Sequence, residues 1–341
     1  VLLLGILLQT GYFLSQVVLT LLVYLAVIFL LRIRMTRLAI LAVSALTIFE
    51  LGYNAYLSQV TFGYADVDKF VDATVSVKQV TDDVQKQADQ PFYRIATTFA
   101  YSKTVPSLVS YPGLSTFSSS LERTTMDQFA FMGDQGINAA TEYENGTLLT
   151  DALYGVRYYI DVKDLDPTEK EAHPERMYFT RFASRFDMTR YFTQKVYEDE
   201  RYIVYENPNS FPLAYGTNDL VRNINFGRNS AIQNQNIILN SMEGVKKGEE
   251  NYLDYFKPLA YGDVETENLT EENVDKEKGT AIYKRVDSSK DAVVRYRITP
   301  RTDLTYYFFV PAGLNTEKDY SVLLNGKWFT HSKRNTQRQL W

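Results

Sequence analysis

Residues 12–31 read YFLSQVVLTLLVYLAVIFLL and residues 38–57 read LAILAVSALTIFELGYNAYL. The first run carries no charge and the second carries only Glu50. A helix of about 20 residues spans the hydrocarbon core of a bilayer, so each run reads as one membrane span. The uncharged stretch in fact extends from Val1 to Leu31. As one helix it would be about 46 Å long, more than a bilayer needs. Val1–Leu8 therefore reads as the tail of another span and Gln9-Thr10-Gly11 as a break, with one tilted helix over 1–31 as the rival reading. Arg32, Arg34 and Arg37, the basic residues of the first 60, lie between the two runs. Short basic loops stay cytoplasmic, so residues 38–57 should run outward and everything after about Gln59 should be extracellular. A cleaved leader would want a basic start, a shorter apolar core and a small-residue cleavage site, none of which is present. A start inside an apolar run, without Met, is expected of a piece of a larger multi-pass protein of the cell membrane.

Composition narrows the function classes. With 45% apolar and 23% charged residues among 341, the chain is neither disordered nor fibrous. It has no cysteine, which excludes disulfides, thiolate nucleophiles and cysteine-ligated metals, and suits the envelope of a Gram-positive bacterium. Its two histidines, His173 and His331, cannot build a multi-histidine metal site. Setting aside Arg32, Arg34, Arg37 and Glu50, the region after residue 60 holds 33 basic and 40 acidic side chains, a net −7. Nucleic acid normally demands a basic surface, so no nucleic-acid partner is expected; the lipid bilayer is.

Beyond the spans, Asp66–Gln87 spaces Phe70, Val71, Val75, Val80 and Val84 at roughly helical intervals. A strand should begin at Phe92 after Pro91, Tyr111-Pro112-Gly113 should turn, and Ser118–Met132 should be a helix capped by Ser119 or Ser120. Thr150 should open a short helix leading into a strand over Val156–Val162. Arg228–Met242 reads as another helix. Thr280–Val286, Ala292–Ile298, Thr305–Val310 and Ser321–Leu324 alternate with period two, and Asn325-Gly326 is a strong hairpin signal. The expected fold is transmembrane α-helices over 1–58, an extracytoplasmic mixed α/β domain over 59–210, and a helix plus β-sandwich over 211–341, its last strands beyond Trp341.

The common motifs of soluble enzymes are absent: no G-x-G-x-x-G, P-loop, G-x-S-x-G or H-E-x-x-H. Asp66-Val67-Asp68 and Asp164-Leu165-Asp166, with Glu198-Asp199-Glu200, could in principle hold a divalent cation against a diphosphate. A chain with 41 acidic residues has several such triplets by chance, and Asp66 or Asp68 is better explained as a helix cap, so no cofactor is expected here. His173, before Pro174 in a charged stretch, reads as an exposed loop residue. Glu50 and Asn54 lie four apart near the outer end of the second span, either lining a polar cavity or reaching the headgroups. Twenty-six tyrosines against two tryptophans supply aromatic faces with hydroxyls, suited to sugars but equally to a core. Tyr111, Ser118 and Ser119 could bind sugar hydroxyls or merely shape a turn.

Several segments, in order, resemble the bacterial YfhO membrane proteins. They are Glu50-Leu51-Gly52-Tyr53-Asn54-Ala55, Phe92-Tyr93-Arg94-Ile95, the stretch from Ser110-Tyr111-Pro112-Gly113 to Ser118-Ser119, and Asp151-Ala152-Leu153-Tyr154-Gly155-Val156-Arg157-Tyr158-Tyr159. Val204-Tyr205-Glu206-Asn207-Pro208, Phe211-Pro212-Leu213-Ala214 and Gln233-Asn234-Gln235-Asn236 continue the series; the part after 250 is looser. The resemblance implies a C-type glycosyltransferase that moves a sugar from a polyprenyl-phosphate donor to a cell-wall polymer such as teichoic acid. The catalytic carboxylate of such enzymes lies in an early loop upstream of this chain. No catalytic residue is therefore carried over, and this stretch alone is expected to be inactive. On that reading Glu50 and Asn54 would wall the substrate cavity, and Arg94 and Arg123 would meet phosphate charge. The alternatives are a membrane-anchored module that binds wall glycan without catalysis, and an assembly module docking another membrane protein.

Overall fold

The computed structural model describes residues 14–32, 36–62, 64, 66–137, 139–143, 145–163, 180, 181, 183, 185, 187–227, 230–259, 262–275, 280–310, 320–332, 339 and 340. The chain divides into two compact units, Val1–Asp66 and Val67–Trp341. The expected span tail at 1–8, the break at 9–11, Arg34, Asp164-Leu165-Asp166 and His173 lie outside the described residues.

The first unit contains α1 (Leu14–Arg32) and α2 (Arg37–Thr61), which pack against each other. Thr36 caps α2: its side-chain oxygen accepts the Ala39 N–H at 3.2 Å, satisfying one of the orphan donors of the first turn. The helix runs past the expected Leu57 to Thr61, about 37 Å at 1.5 Å per residue. It is long and apolar enough to cross a membrane, and α1 contributes a shorter apolar stretch, Val18–Leu30. Only 6% of the apolar window of α2 is buried within the protein, and Leu38, Leu41, Ile48 and Leu51 stand exposed. A helix apolar on all sides and uncovered by protein needs a nonaqueous neighbour.

The second unit runs through α3 (Val67–Gln87), β1 (Arg94–Thr97), β2 (Phe99–Ala100), α4 (Val105–Val109), β3 (Thr116–Phe117), α5 (Arg123–Met132), β4 (Gln135–Ile137), β5 (Ala140–Glu142), α6 (Leu148–Leu153), β6 (Val156–Val162), β7 (Thr180–Arg181), α7 (Asp187–Tyr191), β8 (Gln194–Glu198), β9 (Tyr202–Glu206) and α8 (Ala231–Met242). Its centre is a four-stranded sheet of order β1-β6-β9-β8. β1 lies parallel to β6, and the other pairs are antiparallel. Successive residues of β6 point to opposite faces: Tyr158 and Ile160 join one apolar cluster with α3, Phe99 and Val204, while Tyr159 joins a second with Phe129, Met188 and Phe192. Both faces are thus covered, the expected mixed α/β layer.

The α3 stripe differs from the expected one. Ala73, Val77, Val80 and Val84 are buried, whereas Val71 and Val75 face outward at 51% and 60% exposure. Ala73, Val77, Val80 and Val84 share one buried cluster with Ile95 and Ile160 of the sheet, so this is the face that packs inward. The helix expected from Ser118 begins instead at Arg123, with Glu122 at the cap position. Ser118 forms a local turn, its Oγ accepting the Ser120 N–H at 3.3 Å and lying 3.0 Å from Ser120 Oγ. Likewise α6 starts before Thr150, because Thr147 and Thr150 form a reciprocal capping box.

Polar residues, rather than apolar ones, seat α8. Asn234 donates to the Phe131 and Gly227 carbonyls, and Gln235 donates to the Met132 carbonyl while accepting the Thr147 hydroxyl at 2.6 Å. Asn236 pairs with both backbone groups of Phe256, and Asn240 with both of Leu253. Each of these two amides acts as a one-residue substitute for a strand neighbour.

After residue 262 come β10 (Val264–Glu267), β11 (Leu269–Asp275), β12 (Thr280–Arg285), β13 (Val293–Tyr296), β14 (Phe309–Val310), β15 (Tyr320–Leu324), β16 (Lys327–Ser332) and β17 (Gln339–Leu340). They pair two by two and antiparallel, as β10–β13, β11–β12, β14–β17 and β15–β16. The Asn325-Gly326 hairpin forms as expected, with φ of 51° and 77°. Among the described residues these ladders do not join into the two facing sheets of the expected sandwich.

Candidate functional site

In the C-terminal half of α2, Asn54 Nδ2 donates to Glu50 Oε1 at 2.5 Å, the i,i+4 contact that the spacing allows. The pair is half-buried, and its polar atoms are directed at each other. In an apolar helix such pairing lowers the cost of carrying both groups.

The expected phosphate and sugar contacts in the second unit are not assembled into one site. Arg94 donates to the Tyr154 carbonyl and lies over the Phe92 ring at 5.0 Å from its centroid, so its cation holds backbone and an aromatic face in place. Tyr111 is 6% exposed and belongs to the apolar cluster under α3, with burial pushing its hydroxyl far up; it is a core residue. Ser118 is half-buried in its turn and Ser119 is exposed. Arg123 sits on the first turn of α5, 81% exposed, with Nε 3.6 Å from Asp127.

What the sequence did not disclose is a buried charge cluster on the second face of the sheet. Arg185, 4% exposed, reaches both oxygens of Asp151 (3.2 and 2.8 Å) and both of Asp187 (2.7 Å each), and donates to the Tyr159 hydroxyl at 3.1 Å. The Tyr143 hydroxyl donates to Asp151 at 2.8 Å and the Tyr307 hydroxyl to Asp187 at 2.8 Å. Burial pushes the Asp187 carboxyl up, but Arg185 and the hydrogen bonds reverse this and hold it below the usual range. For Asp151, complete burial outweighs Arg185 and the net shift is upward. Asp134 stands beside them with a buried Oδ2 that has no hydrogen-bond partner among the described residues. Burial first, then the nearby Asp151, pushes it well above the usual carboxylate range. The cluster is closed to solvent and reads as an internal fastening. Of its members, Asp151 and Tyr159 lie in the YfhO-like segment 151–159, and Arg185 and Asp187 lie in no such segment.

The acidic triplets are structural where described. Asp68 lies in the first turn of α3, complementing the helix dipole. Glu198 pairs with Lys163 and Lys195, and Asp199 accepts the Arg201 and Tyr202 N–H groups. No group of three or more His, Asp or Glu side chains among the described residues is placed to hold a metal ion.

The second unit also presents a concave surface. A depression of about 440 Å³ lies between the C-terminal end of α3, the entry to β1 and Pro112, lined by Gln85, Ala88, Gln90, Pro91, Phe92, Tyr93 and Pro112. Tyr93 is set edge-on against Tyr158, centroids 5.2 Å apart, and the Pro112 carbonyl accepts the Ile95 N–H at 2.8 Å. The depression therefore includes the Phe92-Tyr93 and Pro112 segments that the sequence singled out.

No curated protein and no solved structure matches the chain. A family model does, that of the bacterial membrane protein YfhO, over residues 4–341. That match spans nearly the whole chain and agrees with an apolar helix that stays largely uncovered by protein. The chain belongs to the YfhO family of bacterial membrane proteins.

Proposed function

We propose that this chain serves a membrane glycosyltransferase of the C type, which moves a sugar from a polyprenyl-phosphate donor to an extracytoplasmic cell-wall polymer such as teichoic acid in a Gram-positive envelope. The observation that carries this reading is the YfhO family match over residues 4–341. The charge pattern supports it: Arg32, Arg34 and Arg37 favour a cytoplasmic loop, which directs the second unit outward as part of a multi-pass protein. On the outer side, the ladders after residue 262 would complete a β-sandwich beside the α/β layer. Glu50 and Asn54, in the C-terminal half of α2, supply a hydrogen-bonded polar pair on an otherwise apolar stretch, a place where a lipid-linked donor could be met.

Removing the gene and analysing purified wall polymer for its sugar content tests the proposal. Loss of the sugar, restored by the wild-type protein, is the expected result; unchanged polymer sugar rejects it. Glu50→Ala in the whole protein is expected to lower decoration at unchanged abundance, and full decoration would remove Glu50 from the site. A second reading, a membrane-anchored glycan-binding module without catalysis, is favoured by the depression at Phe92 and Tyr93, which offers binding surface and no acid or base.

A further inference from the structure

We infer that the depression between the end of α3, the entry to β1 and Pro112 is a subsite for a neutral glycosyl ring. The inference rests on the glycosyl-transfer reading and sharpens it, by naming sugar rather than phosphate as what this part of the second unit recognises.

Its lining contains no ionisable group apart from the Tyr93 phenol. A phosphate, a carboxylate or a metal ion would find no countercharge there and would leave water at a cost. Two cations adjoin the lining in sequence and both are engaged: Arg94 by the Tyr154 carbonyl and the Phe92 ring, and Lys86 by Asp83 at 2.8 Å. The apolar part of the lining is flat and stiff: Phe92, Pro91 and Pro112 offer faces on which the C–H side of a pyranose can lie. The polar part is a set of amides and one hydroxyl. Gln90 and the Tyr93 hydroxyl make no hydrogen bond among the described residues, and Gln85 spends one N–H on the Ser110 carbonyl at 3.3 Å. Amides and a phenol can both donate and accept, which matches the mixed donor and acceptor character of sugar hydroxyls.

The depression, about 440 Å³, is open to solvent on one side, so it would take one face of a ring rather than enclose it. The geometry is set before any ligand arrives. Arg94 clamps Phe92, Tyr158 braces Tyr93, and the Ile95–Pro112 hydrogen bond fixes the turn against β1. A pre-set surface keeps more of its contact energy as affinity.

Two sources present a neutral glycosyl ring, the sugar of a lipid-linked donor and a sugar already attached to the wall polymer. The test uses the full chain in lipid nanodiscs and saturation-transfer NMR with methyl glycosides of glucose and N-acetylglucosamine, with inorganic phosphate and glycerol phosphate as competitors. A glycoside is expected to bind without competition from either phosphate. Gln90→Ala and Tyr93→Phe should each weaken binding about fivefold, the loss of one ordinary hydrogen bond. Gln79→Ala, on exposed α3 surface, should leave it unchanged. Equal thermal unfolding temperatures of all variants certify that folding is preserved. Displacement by a short-chain polyprenyl-phosphate sugar supports the donor as source, and displacement by a sugar-bearing polymer fragment supports the polymer. Absence of glycoside binding, full binding in the Gln90→Ala/Tyr93→Phe double variant, or displacement by phosphate overturns the inference. If glycoside binding fails while gene removal still strips sugar from the polymer, the subsite falls and the proposed function stands. If binding maps here while the polymer is unchanged, the enzyme reading falls and a binding module remains.

Discussion

The α/β layer around β1-β6-β9-β8 and the ladders beyond residue 262 are built from similar strands yet held by different forces. In the layer, Ile95, Tyr158, Ile160 and Val204 are buried on one face, Tyr159, Phe192 and Met188 on the other, and an arginine is enclosed with its counterions. In the ladders the described alternation is only half-buried against exposed, as in Val264–Glu267, and ion pairs such as Arg295–Glu267 stand in solvent. Backbone pairing is present in both. The difference lies in burial on two faces, and it separates a rigid platform from strands that rely on neighbours for stability.

Arg185→Met should break this contrast most severely. It leaves Asp151 and Asp187 buried without a countercharge, and a loss of about 3–5 kcal/mol is expected in urea unfolding of the full protein. Replacement of both carboxylates along with Arg185 should cost less than the single change.

Asp134→Asn tests the same region through pH. Asp134 faces Asp151, Arg185 and the tyrosines Tyr143 and Tyr154, and its carboxyl is raised in the folded state by burial first. A raised acid stabilises the fold fully below its unfolded value and loses that contribution as pH rises through the folded one. Asp187, lowered, acts oppositely and matters only as pH falls below the ordinary carboxyl range. Urea midpoints of the wild type should therefore decline above the ordinary carboxyl range; Asp151, also raised by burial, contributes to the same decline, so Asp134→Asn should flatten it in part. Parallel pH profiles would show that the Asp134 carboxyl is not raised in the folded protein.

The apolar runs were legible because periodicity and length need no partner: α2, the strand at 156–162 and the Asn325-Gly326 hairpin all follow from local pattern. β10 and β11 were not foreseen, since VETE and LTEENVD are acidic and become strands by pairing with β13 and β12. The true start of α5 was hidden by three serines that suit a cap equally well in a turn. Of the site, the Phe92-Tyr93 and Pro112 segments were visible as motifs. The Arg185 cluster was not, because its members come from positions 134, 151, 185, 187 and 307, and no local spacing announces contacts of that range.

Tyr307→Phe sharpens the comparison at the point where the two regions meet. It removes the hydroxyl that donates to Asp187, and about 1 kcal/mol should be lost. Limited proteolysis should cut residues 280–310 faster while the α/β layer stays protected. Equal cleavage of both regions would mean that they unfold together. The smallest effect is expected from Arg295→Ala, which removes an exposed pair and should shift stability by about 0.5 kcal/mol or less.

The bond between Tyr307 and Asp187 joins groups 120 residues apart. A chain emerging in order can close Arg185 onto Asp151 early, but Asp187 receives its last hydrogen bond only when Tyr307 has been made. Nucleation of the layer is thus separated in time from its completion. Refolding should show a fast phase reported by burial around Tyr159 and a slower one reported by protection of the 300–310 segment.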